Sequence, residues 1–279
     1  MTVPVTSYGN DGFTFRVHDW GPIDGRPVIA LHGFPQTSAC WAGVATRLGA
    51  AGVRVLAPDQ RGYSPGAQPA DVAAYRLDRL AGDVLALADA AGLDRFDLLG
   101  HDWGGGVAWH LAARYPERIR TLSVASAPHP QALFKALRGK QALRSWYMLL
   151  FQLPWLPETL LGSPLGGRWL ASSGTTDPGE MARLLADRTT ATGALNWYRA
   201  MRLKGVPGTG RIGVPSLYVW SDGDVALGRQ AAEDTASYVD GAYTFIQLSG
   251  VSHWIPDEDP EALAEAVLMH LDQHPVSVG

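Results

Sequence analysis

One stretch constrains the fold more than any other: Phe96-Asp97-Leu98-Leu99 runs straight into Gly100-His101-Asp102-Trp103-Gly104-Gly105-Gly106. Phe96 to Leu99 reads as a short buried strand, and Gly104 to Arg114 reads as a helix. Between them a Gly-x-Asp-x-Gly turn must redirect the chain within a few residues. Glycines flank such a turn because its backbone is strained and the helix must pack close to the strand. The turn lifts one side chain above the sheet, and here that side chain is Asp102. The plainer reading of an aspartate at this point is a helix cap, so the rest of the chain has to decide.

Phe13 to His18 reads as an edge strand and Pro27 to Leu31 as a buried one. Ser38 to Ala50 follows as a helix, Arg54 to Ala57 as a strand, Leu77 to Ala91 as a helix and Ile119 to Ala125 as a strand. Strands alternating with helices predict an α/β fold, a mostly parallel sheet flanked by helices on both faces. After Pro128 the rhythm changes. From Pro130 to about Arg211 the chain is helix-like and rich in Trp, Leu and Arg. Alternation returns at Pro215 to Trp220, Tyr243 to Leu248 and the helix Pro260 to His274. The expected organisation is a core of residues 1-129 and 212-279, with 130-211 inserted as a helical lid.

With 279 residues, the chain can bury a large core. Its 23 Lys plus Arg against 27 Asp plus Glu leave no basic footprint, so no nucleic-acid partner is expected. The single Cys40 excludes an internal disulfide and cysteine metal clusters, and agrees with a reducing cytoplasmic location. Met1 to Phe13 lacks the charged start and apolar run of a secretory signal. The most apolar segment, Trp146 to Leu161, is interrupted by Pro154 and Pro157 and is too short to span a bilayer, so no membrane partner is expected. Nothing in the sequence distinguishes a monomer from a homodimer.

Ligands of an open parallel sheet sit beyond the carboxyl ends of its strands. The residues there are His32-Gly33-Phe34-Pro35, Asp59, Asp102, Ser126 to His129, Asp222, Asp224 and His253. A carboxylate with an ordinary pKa of about 3.9 is ionised at neutral pH and needs no base to attack. Asp102 can therefore form an alkyl ester with a strained or activated saturated carbon, such as an epoxide or a carbon bearing a halide. Acyl substrates suit it poorly, because acyl transfer to a carboxylate yields only an anhydride. A histidine is then free to activate the water that cleaves the ester.

Taken together, His32-Gly33-Phe34-Pro35, Pro58-Asp59-Gln60-Arg61-Gly62-Tyr63-Ser64, Gly100-His101-Asp102-Trp103-Gly104-Gly105 and Gly250-Val251-Ser252-His253-Trp254 resemble the epoxide hydrolase branch of the α/β-hydrolase fold family, with haloalkane dehalogenases as near relatives. The resemblance spans nearly the whole core. It implies the chain order nucleophile, acid, histidine, which makes Asp102 the nucleophile and His253 the base. The acid that orients His253 is Asp224 or Asp222, with Asp224 one step further into its loop. Some relatives place this acid after the preceding core strand, but no Asp or Glu lies between Thr121 and Pro157. Backbone N–H groups of Phe34 and Trp103 would form the oxyanion hole, against the plainer reading of His-Gly-Phe-Pro as a tight turn.

Epoxide opening leaves an alkoxide, and the resemblance implies that two lid tyrosines serve it as acid. Tyr147, in Trp146-Tyr147-Met148-Leu149-Leu150-Phe151-Gln152, and Tyr198, in Asn196-Trp197-Tyr198-Arg199, match those segments. A dehalogenase instead needs N–H donors for the departing halide. Trp103 could be one, and Trp155, Trp169 or Trp197 a second, although Phe34 stands where one dehalogenase group has asparagine. A hydrolase-fold binding protein with little turnover is the reading from another class. Trp103, Trp146, Phe151, Trp155, Trp197 and His129 are the expected walls of an apolar substrate site. The partners are then a small apolar epoxide or haloalkane and water, and this chemistry calls for no metal or organic cofactor.

Overall fold

The computed structural model describes residues 3–201 and 209–276. Eight strands form one sheet: β1 (Ser7–Asn10), β2 (Phe13–Trp20), β3 (Arg26–Leu31), β4 (Val53–Pro58), β5 (Phe96–His101), β6 (Ile119–Ala125), β7 (Ser216–Ser221) and β8 (Tyr243–Leu248). Their spatial order is β1-β2-β4-β3-β5-β6-β7-β8. Only β2 runs antiparallel to its neighbours; β3 to β8 pair in parallel. Every residue of β4, β5 and β7 is buried, as expected of parallel strands covered on both faces. One expectation needs correcting. Phe13 to His18 belongs to a strand paired on both sides, and the true edge is β1, whose Ser-Tyr-Gly-Asn sequence is too short and polar to signal a strand.

Helices α2 (Leu77–Ala90) and α3 (Trp103–Arg114) cover one face, burying Leu80, Leu87 and Trp109. Helices α1 (Ala42–Ala50) and α11 (Pro260–Gln273) cover the other, burying Val44, Leu48, Leu263 and Val267. The helix expected from Ser38 begins as a 3-10 turn, Ser38–Trp41, where the Ser38 amide and hydroxyl are drawn onto the buried Asp59 carboxylate.

Between β6 and β7 come α4 (Pro130–Ala136), α5 (Gln141–Arg144), α6 (Tyr147–Leu150), α7 (Leu156–Leu161), α8 (Pro164–Ser172), α9 (Pro178–Ala186) and α10 (Arg188–Ala200). The expected insertion of residues 130-211 thus contains no strand among its described residues; 202–208 lie outside them. Helix α10 is tied to the core by the Trp197 indole N–H, which donates to the Arg61 carbonyl at 2.8 Å. No helix of the described residues is long and apolar enough to cross a membrane.

The packing of α3 on the sheet depends on Gly104. A Cβ there would lie 2.1 Å from the Leu31 carbonyl oxygen, so helix and strand would have to separate. Gly104→Ala is expected to destabilise the fold by about 3 kcal/mol. A lowered thermal unfolding midpoint measures that loss, and an unchanged midpoint contradicts it.

Candidate active site

Asp102 sits between β5 and α3 with φ 50° and ψ −120°, a conformation that L residues rarely adopt. Holding it there costs about 1–3 kcal/mol, and the surrounding packing must supply that. Although Asp102 occupies the position preceding α3, its side chain caps nothing in the helix. One carboxylate oxygen accepts the Phe34 N–H at 2.9 Å, and the other lies 3.4 Å from His253 Nε2. The capping interpretation is therefore set aside. Gly33 makes this closeness possible, since a Cβ there would lie 2.4 Å from Asp102 Cβ.

His253, in the loop after β8, turns its Nδ1 onto Asp224 at 2.8 Å. The other Asp224 oxygen accepts the N–H groups of Ala226 and Leu227, both at 2.8 Å. Asp222, the alternative acid, is exposed and accepts the Gly250 N–H at 2.7 Å instead. Burial alone would push the His253 pKa down, but Asp224 and Asp102 together lift it to about 10. Burial likewise opposes ionisation of Asp102, and the contact with His253 outweighs it, holding that carboxyl below its ordinary range. His253 thus faces a carboxylate at each ring nitrogen, Asp224 at 2.8 Å and Asp102 at 3.4 Å, and both favour its protonated form.

Two cavities meet at Asp102. One, of about 120 Å³, is walled mainly by apolar groups including Trp103, Leu133, Phe134, Met148, Trp197 and Leu227. The other, of about 310 Å³, includes Phe34, Trp146, Trp169, Val225 and His253. Tyr147 and Tyr198 line both. The Tyr198 ring stands edge-on to Trp103 at 5.0 Å and to Phe34 at 5.3 Å, and lies 6.2 Å from Tyr147. Burial first, then the Asp102 charge, raises the pKa of Tyr147; burial, Tyr147 and Asp102 raise that of Tyr198. Both phenols stay protonated and able to donate a hydrogen bond.

Three of the expected wall residues lie elsewhere. His129 is buried away from both cavities: its Nδ1 accepts the Gln131 N–H at 3.3 Å, and its Nε2 faces the Gly210 carbonyl at 3.2 Å. It caps α4 and stacks on Tyr238 at 4.8 Å, so an imidazole that looked available at a strand end is spent on the backbone. Trp155 is exposed and lines neither cavity. Phe151 is buried behind the site, 5.4 Å from Phe34 and 5.0 Å from Tyr198, where it supports rather than contacts the cavity.

Two histidines with supporting roles were not assigned from sequence. His32 accepts the Gln60 N–H at Nε2 and faces its neighbouring Gly33 carbonyl with Nδ1, both at 3.0 Å, which steadies the loop bearing Phe34. His101 Nε2 lies 2.9 Å from the His253 backbone carbonyl, its ring 5.0 Å from the His253 ring. Burial, then the neighbouring His253, lowers the His101 pKa to about 4, so it is neutral and can donate that hydrogen bond. Its place directly before Asp102 was the available signal. Leu133, Phe134 and Leu227 carried none, because they are brought together from separate segments.

The fold and site define a recognisable class. The family model described as alpha/beta hydrolase fold matches residues 26–260. The AB hydrolase superfamily protein YfhM of Bacillus subtilis is 33% identical, over 94% of this chain and 95% of that protein. Epoxide hydrolase 4 of Mus musculus is 30% identical over 85% of this chain and 70% of its own length. A solved structure of epoxide hydrolase A from Mycobacterium thermoresistibile superposes with a TM-score of 0.83 at 27% identity, covering 99% of this chain and 100% of that one. The chain belongs to the α/β-hydrolase fold family, in its epoxide hydrolase branch.

Proposed function

We propose that this protein opens epoxides to vicinal diols through an ester on Asp102. One observation carries the reading: Asp102, bonded to the Phe34 N–H, lines two cavities together with Tyr147 and Tyr198 and faces His253. A carboxylate oxygen attacks the less hindered ring carbon. The carbon–oxygen bond breaks towards oxygen, which takes a proton from the tyrosine pair. The helices of residues 130-211 act as the lid that brings those tyrosines over the core. Forming the ester removes the negative charge of Asp102. His253 then has only Asp224 to hold its proton, which passes to the phenolate left by the first step, so the phenol is restored and the imidazole is free to act as a base.

In the second step His253 takes a proton from water while the water oxygen attacks the Asp102 carbonyl carbon. The Phe34 and Trp103 N–H groups hold the resulting oxyanion. Its collapse expels the diol oxygen, which takes the proton back from His253. The second water proton, left on the Asp102 carboxyl, then passes to His253, and the carboxylate is restored. The tautomer that this step needs follows from Asp224, whose other oxygen is fixed by two backbone N–H groups.

Halide release is the competing chemistry. It is less well supported because the Trp197 indole N–H is committed to Arg61 and Trp155 lines neither cavity, which removes two of the three lid tryptophans as halide donors. A single turnover of styrene oxide in heavy-oxygen water should leave label in the Asp102 carboxylate. Label confined to the diol would mean direct attack by water. Halide release from bromoalkanes without diol from epoxides would replace the proposal by dehalogenation.

A further inference from the structure

The outer side of the helical insertion carries a face that the proposed chemistry does not use. Leu143, Trp146, Leu149, Leu153 and Trp155 are 79%, 54%, 74%, 44% and 61% exposed, an unusual concentration of large apolar groups in water. Lys140, Leu143, Trp146, Leu149 and Leu153 recur every three or four residues along turns whose Leu143, Leu149 and Leu153 N–H groups reach the carbonyls three residues back. All five are exposed, so the segment turns them to solvent. From the same stretch, Gln141, Ser145 and Phe151 are buried, and Tyr147 and Met148 line the cavity at Asp102. The segment is amphipathic with its apolar outer side unpartnered.

Charge identifies what fits it. The chain as a whole carries −4, yet no Asp or Glu occurs between Thr121 and Pro157. Lys135 is paired with Asp234 at 3.0 Å, whereas Arg138, Lys140 and Arg144 have no carboxylate partner among the described residues. Cations beside exposed tryptophan and leucine are the composition of a surface that lies in the headgroup layer of a bilayer. A second copy of the chain fits worse, since a two-fold contact would set this face, with its unpaired cations, against itself. Leu143, Trp146 and Val225 also rim the cavity that reaches His253, so the entrance opens within the patch.

We propose that this face docks on the surface of an anionic phospholipid bilayer, with the cavity mouth turned towards the lipid. The expectation of no membrane partner rested on spanning segments, and no helix of the described residues is one; interfacial attachment needs only an apolar face and flanking cations. Apolar molecules concentrate in bilayers, and a mouth held there would take them up without passage through water.

The test is sedimentation of the full chain with vesicles of phosphatidylglycerol and phosphatidylcholine, and with vesicles of phosphatidylcholine alone, with no substrate present. Binding should favour the anionic vesicles about tenfold and weaken as salt is raised. Arg138→Glu with Lys140→Glu should lower it about tenfold or more. Leu149→Ser should weaken it at low and high salt alike. All these positions are exposed, so unfolding midpoints should match the unchanged protein. No vesicle binding, or equal binding to neutral vesicles, overturns the proposal. So does a concentration-dependent dimer that Leu149→Ser abolishes, which would give the face to a second copy. Because no turnover is measured, failure here leaves the epoxide reading standing, and failure of that reading leaves this one.

Discussion

Replacing His253 with glutamine should stop the reaction halfway, leaving a stable ester on Asp102. Ester formation needs only the carboxylate and a proton donor for the opening oxygen, and His253→Gln retains both. Hydrolysis needs a base, which glutamine is not, so steady turnover should fall by about 10³-fold or more. Intact-protein mass spectrometry after mixing with styrene oxide should show one added substrate mass, and fragmentation should place it on the peptide containing Asp102. A variant that turns over slowly with no added mass would argue against a covalent intermediate. The unmodified enzyme should approach the same state as pH falls. In the ester form His253 keeps only the Asp224 carboxylate of its two partners, and below its pKa there it is protonated and cannot accept a proton from water. The ester fraction at steady state should therefore rise on acidification, while Asp102, held below the ordinary carboxylate range, remains competent to attack.

The second large effect is expected from the two phenols. Tyr147→Phe combined with Tyr198→Phe removes the donors to the epoxide oxygen while leaving the aromatic packing around Trp103 and Phe34 in place. The developing alkoxide is then unprotonated and poorly solvated, and kcat/KM for epoxides should drop by about 10²–10⁴-fold. The loss should fall on ester formation, so the double variant carries no trapped ester even with His253→Gln added. Each single variant should retain more activity than the pair, since the remaining phenol lines the same cavities. Full epoxide activity in the double variant would assign the acid to another group.

These experiments address residues of very different legibility. Asp102 stood out because a strand, a glycine-flanked turn and a helix are contiguous, and the strain at its φ of 50° is a local property of that turn. His253 and Asp224 were candidates by chain order and loop position, and what separates Asp224 from Asp222 in the structure is direction: one carboxylate turns inward to Nδ1 at 2.8 Å and its near neighbour turns out to the Gly250 N–H. His129 and Trp155 went astray for the same reason. Position after a strand or within an aromatic segment says nothing of which way a side chain points, and the first was taken up in capping α4 while the second was left facing solvent. The polar strand β1 was missed because its pairing with β2 is written in neither its length nor its composition.

Alternating apolar strands and helices, with glycines where backbones must touch, determined the covered parallel sheet and the placing of a carboxylate at its mouth, because these are short-range and periodic features of the chain. Tertiary structure alone decided how Tyr147, Tyr198 and two cavities converge on that carboxylate, and which aromatic groups were left bare on the outer surface. Those outcomes depend on the docking of helices distant in sequence, and docking is governed by the shape and charge of surfaces that exist only once the chain has folded.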